Sequence, residues 1–329
     1  MKKIIVLFLT VLLLVSLASC TEKNPYVLVS ADSTVNEGVY AYYLDKVMSS
    51  PKEFSVDLKN KEAVENAALS LCKEYMAAGQ VLSEEKISFS QQYKSQVAEE
   101  TEREWSLFGN YYKSLGMTKP DLTAINTYEA QKDCLLQYYY GKGGKNEVSD
   151  MDLKEKFVDL YIGFKAFEGS FTKVNVKGET IDMTEGERER LISEFRSMAN
   201  KINEGASIDD VYADYCKKEG LVATNALEVM LTTEKDPMYA DDFFSKLSTI
   251  THGKAAPVTS GSSVYVVERC TIASSDEDVF EQYRAVVLEK MKMSSVEKKI
   301  TKKADTIKPE INDKLVSRTY EQVERIHSK

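Results

Sequence analysis

The side chains in this chain that could do covalent chemistry are few and widely spaced. Five cysteines and two histidines supply all of its thiols and imidazoles. Cys20 stands apart because of what precedes it. Lys2 and Lys3 make a positive start, residues 4–17 form an apolar run, and Leu17-Ala18-Ser19 leads directly into the thiol. The run is short of the about 20 apolar residues that a spanning helix needs. Cys72, Cys134, Cys216 and Cys270 are irregularly spaced and form no CxxC, so the spacing indicates neither a zinc site nor a dithiol redox centre. Cys216 with Cys270 is the one pairing to weigh, because both fall in one segment; buried free thiols are the alternative. His252 lies in a His-Gly turn and His327 in the tail, so no pair of imidazoles is evident. No metal and no cofactor is expected.

Residues 1–20 resemble a bacterial lipoprotein signal: a large branched side chain stands three positions before Cys20 and small ones adjoin it. The resemblance implies a signal peptide over 1–19 and a palmitate-type acyl anchor on Cys20. It also implies a location on the extracytoplasmic face of a bacterial cell membrane. An ordinary secretory signal with a chance cysteine is the competing reading. The formal charge is −9, and loss of Lys2 and Lys3 makes the chain more acidic by two. Nothing in that balance favours nucleic acid, whose binding depends on neutralising phosphates with Lys and Arg.

The elements that must position any site change character along the chain. From 34 to about 140 the periodicity is helical. Thr34-Val35-Asn36-Glu37 reads as a capping box before Val39, Tyr43 and Val47. Val64, Ala68, Leu71, Tyr75, Ala78 and Leu82 make a second stripe, and Trp105, Phe108, Tyr112 and Leu115 a third that stops at Gly116. Pro120 opens a fourth helix, ended by Gly141-Lys142-Gly143-Gly144. That glycine run lacks the spacing of a phosphate loop and follows a helix, so it reads as a helix stop and hinge. Beyond it come a short helix over 149–160, an extended stretch over 164–176, and a capping box at Thr184-Glu185-Gly186-Glu187. A helix from Ser207, a short one over 241–247 and a strand over 263–270 follow. Helix returns from about 276 to 307 and, after Pro309, continues through Ile311, Leu315, Tyr320 and Val323.

Residues from about 148 to 270 resemble a parvulin-type peptidyl-prolyl isomerase domain. The resemblance lies in the order of VSDMDLKEKF, YIGFKAFEGSFTKVNV, the ERERLISEFRSMANKINEGASIDDVYADYCKKEG run, PMYADDFFSKLSTITHGKAAPV and the closing SGSSVYVVERC. With the lipobox and the flanking helices, the whole chain is similar to PrsA-like foldase lipoproteins. The resemblance implies an α+β fold in which helical N- and C-terminal segments pack together around an inserted parvulin-like domain of small, mostly antiparallel sheet with helices. The parts are a signal (1–19), a linker (20–33), a helical chaperone-like domain (34–145), the parvulin-like domain (146–273) and C-terminal helices (274–329) that pack with the N-terminal domain.

Where parvulins carry two strand histidines, this chain has Glu168 or a neighbour in the first position and Tyr265 in the second. The family's catalytic cysteine or aspartate falls near Lys217 or Lys218, and Cys216 matches a turn serine. Phe243 matches the family's pocket phenylalanine, with Met238 near its methionine. The expected groove is therefore Met238, Phe243, Phe244 and Tyr265, with Tyr265 and Glu168 as the candidate catalytic pair. The function implied is a membrane-anchored foldase or chaperone with weak or no isomerase activity, acting on unfolded or newly secreted polypeptides. Tyrosines 111, 112 and 138–140 with Trp105 offer further adaptable apolar surface. An active isomerase with non-standard groups is the first alternative, and a solute-binding or structural envelope lipoprotein the next; a homodimer is left open. Solute binding is disfavoured because strands are few and form no repeated βα units.

Overall fold

The computed structural model describes residues 26–223, 226–272 and 277–328. The signal over 1–19, and Cys20 with it, lie outside the described residues. Two compact units emerge: one comprises the chain up to Glu147 together with Lys292 onward, the other Val148–Met291.

The first unit opens with β1 (Tyr26–Val29) and β2 (Thr34–Asn36), followed by α1 (Glu37–Ser49), α2 (Lys61–Glu84), α3 (Gln91–Ser114) and α4 (Lys119–Tyr140). The expected linker thus supplies a strand, because Val27 and Leu28 are apolar enough to be buried. The cap before α1 is Asn36, whose Oδ1 accepts from Val39 N, rather than Thr34, which is spent on β2. Asn36 Nδ2 also donates to the buried Asp121, whose carboxylate accepts from Thr118 N and Oγ1 at the start of α4. One carboxylate therefore joins two helix N-termini, where the free N–H groups favour an anion.

The chain re-enters this unit through the second half of the long helix α9 (Glu277–Ala304), then β9 (Glu310–Ile311) and α10 (Asp313–His327). Pro309 ends the helical path, and Ile311 belongs to a strand that pairs with Leu28, giving sheet order β2-β1-β9. On α10, Val316, Tyr320 and Val323 are buried, Thr319 Oγ1 and Arg318 donate to Glu37, and His327 meets Asp45. N- and C-terminal helices so share one core. The first half of α9 belongs to the second unit, against the expectation that 274–329 packs with the N-terminal domain. Phe280 and Tyr283 lie against Phe157 of α5 (Asp150–Leu160), and Arg284 pairs with Asp150.

The second unit has an antiparallel four-stranded sheet in the order β6-β3-β8-β7. Its strands are β3 (Ile162–Ser170), β6 (Met230–Thr232), β7 (Ala255–Ser260) and β8 (Ser263–Cys270). β4 (Thr172–Val174) and β5 (Thr180–Asp182) form a separate hairpin. α6 (Glu185–Asn203) and α7 (Ile208–Glu219) cover one sheet face, where Phe167, Val264 and Val266 meet Phe195, Met198, Ile202 and Val211. The outer edge of β7 is taken. Asn203 exchanges two 2.8 Å bonds with Ala255 N and O, Pro257 has no N–H, and Lys246 donates to Thr259 O.

Cys216 and Cys270 do not pair; these two, Cys72 and Cys134 are free thiols, all but Cys270 buried. Among the described residues no helix is long and apolar enough to cross a membrane, and no group of His, Cys, Asp and Glu is placed to hold a metal ion.

Candidate functional site

Strand alternation decides which residues reach the sheet face opposite α6 and α7. Register pairs Phe164 with Arg269, Ala166 with Val267 and Glu168 with Tyr265. Each of these pairs lies on that second face, joined from β7 by Ala256 and Val258 and from above by α8 (Phe243–Ser248). Phe243, Phe164, Leu247, Val258 and Val267 are its buried centre, with Tyr239, Phe244, Tyr265 and Ala166 partly buried around them.

The Phe243 ring is the hub. Tyr239 stacks on it with centroids 4.3 Å apart and planes 10° from parallel. Phe164 and Tyr265 meet it edge-on at 5.6 and 5.4 Å. These are the favoured offset and T-shaped arrangements of aromatic rings. Burial, with the Glu168 charge next, pushes the Tyr265 phenol above its ordinary range. Glu168 is exposed at the rim and accepts from Ser263 Oγ.

Of the expected groove residues, Phe243, Phe244 and Tyr265 come together and Met238 does not. Met238 is 83% exposed, and the adjacent Tyr239 lies on Phe243 instead. Tyr239 lies in the turn before α8, outside the helix, so no helical spacing in the sequence points to this contact. Phe164 was missed because its strand carries two phenylalanines, and only the register separates the Phe167 face from the Phe164 face. Lys218 pairs with Glu194 on α6, so the end of α7 belongs to the layer on the other face. His252 is exposed in its turn, and His327 belongs to the other unit.

The arrangement offers flat apolar rings, a phenol donor and a carboxylate acceptor. It lacks the paired imidazoles of the family pattern.

No protein-family model and no curated protein matches the chain. Its structural neighbours include foldase protein PrsA from Streptococcus pneumoniae, at TM-score 0.38 and 14% identity over 91% of this chain and 100% of that one. PrsA from Lactococcus lactis gives TM-score 0.35 and 12% identity over 91% of this chain and 99% of that one. PrsA from Bacillus subtilis gives 0.29 and 14%, over 90% and 98%.

Proposed function

We propose that this chain is an extracytoplasmic foldase, held to the membrane by acylated Cys20, that binds extended segments of newly secreted polypeptides and accelerates prolyl rotation little or not at all. The observation that carries the reading is the aromatic cluster on the sheet face beneath α8, where Phe164 and Phe243 are buried and Tyr239, Phe244 and Tyr265 are partly exposed at its margin. Rotation about a prolyl bond must overcome a barrier of about 18–20 kcal/mol, and an apolar seat alone supplies only part of what lowers it. In the first unit, Leu107 and Phe108 on α3 are 68% and 54% exposed and give a second apolar surface for unfolded chains.

The test is suppression of aggregation of an unfolded secreted protein, run beside a proline-peptide isomerisation assay. The expected result is suppression with an isomerisation rate near background. No suppression at several-fold molar excess overturns the foldase reading. The isomerase alternative has one observation in its favour, the placement of Tyr265 opposite Glu168. A rate well above background that falls with Tyr265→Phe supports it.

A further inference from the structure

We propose that the groove is self-occupied: Tyr239 holds the place that an aromatic or prolyl side chain of a bound peptide takes, and binding displaces it. This rests on the peptide-binding reading of the same face. Phe243, the hub, is completely buried, so no ligand ring reaches it while its neighbours stay in place. Of the three rings around it, Phe164 and Tyr265 project from paired strands, whereas Tyr239 comes from the turn between β6 and α8. Tyr239 alone lies flat on Phe243, as a guest ring would.

The segment that carries it has the character of a strap. Asp236 anchors its root, accepting from Thr232 Oγ1 at 3.1 Å and from Met238 N at 3.0 Å, and its carbonyl accepts from Tyr239 N at 3.3 Å. Past that anchor the hold is ring packing, with Tyr239 flat on Phe243 and edge-on to Phe164 at 5.8 Å. Pro237 and Met238 are exposed, and the Tyr239 hydroxyl makes a 3.9 Å contact with Met230 Sδ, a weak acceptor. The occupant also shows what the face accepts: Asp236-Pro237-Met238-Tyr239 is itself a short peptide with an aromatic ring two residues after a proline. A client with the same chemistry competes for the same seat, and its apparent affinity is reduced by the fraction of molecules in which the strap has left.

The experiment uses a fluorescent synthetic peptide copying residues 234–240, titrated by anisotropy into the full chain and into Tyr239→Ala and Tyr239→Phe. Tyr239→Ala is expected to bind about tenfold more tightly than the unaltered protein, with Tyr239→Phe close to the unaltered protein, because the ring and not the hydroxyl fills the seat. Equal or weaker binding to Tyr239→Ala makes Tyr239 a fixed wall and overturns the proposal while leaving the peptide-binding reading in place. No binding to any of the three overturns both. A second measurement needs no variant: saturating peptide is expected to speed amide hydrogen exchange at Met238 and Tyr239 in the unaltered protein. Unchanged or slowed exchange there counts against displacement.

Discussion

Gly169 occupies a position on β3 where a single methyl group has no room. A Cβ there would stand 2.5 Å from Phe195 Cζ and 2.8 Å from Cε2. Phe195 is completely buried, so its ring has nowhere to retreat. Gly169→Ala is expected to cost about 1–3 kcal/mol of stability, read as a lower denaturation midpoint. Glu187 gives a test of a different kind. Lys173, then Thr184 N and Oγ1, donate to its carboxylate and hold it down to about 2, below the usual 4.5. A depressed carboxylate contributes stability that is present above its unfolded value and is lost as the pH falls through the folded one. Thermal midpoints of the unaltered protein and Glu187→Gln should therefore differ at neutral pH and converge between about 4.5 and about 2. That capping box was legible because its partners are three residues apart. The Tyr239 contact was not, since a turn rather than a helix brings it onto Phe243.

At the scale of elements, α10 is the clearest case of a segment that cannot be stable alone. Its buried stripe of Val316, Tyr320 and Val323 and the bonds to Glu37 join it to α1 at the other end of the sequence. Val323 is completely buried. Val323→Ala should cost about 2 kcal/mol, measured by chemical denaturation. Amphipathic helices such as this one were plain in the sequence, because their periodicity is local. The short strands were not. β1, β2 and β9 hold two to four residues each, and their pairing joins Leu28 to Ile311 across almost the whole chain. No window of sequence contains that partnership, so Thr34 read as a cap and Ile311 as part of a helix.

For the molecule as a whole, the interruption of one unit by another is the organising fact. The chain leaves the first unit after α4 and comes back within α9, so the first unit is complete only after the C-terminal residues are in place. The four cysteines of 72, 134, 216 and 270 bridge nothing, and burial pushes the Cys72 thiol upward. A reductant should leave the melting temperature unchanged. Alkylation of the native protein should label Cys270 well before Cys72, Cys134 and Cys216, as mass spectrometry of peptides would report. Equal labelling of the buried thiols would contradict their placement.

The blocked edge of β7 has a meaning beyond this sheet. A strand that offers a free row of amides and carbonyls is a template on which other extended chains grow. A protein that keeps company with unfolded polypeptide meets many such chains. With Asn203 on Ala255, proline at 257 and Lys246 on Thr259, that border gives them little to copy. Under the proposed function, guests would be held through side-chain contacts on the sheet face, which are reversible, and turned away from that margin, where backbone pairing would propagate. On the β7 side, then, the sheet is a poor template for the assemblies that a foldase is proposed to prevent.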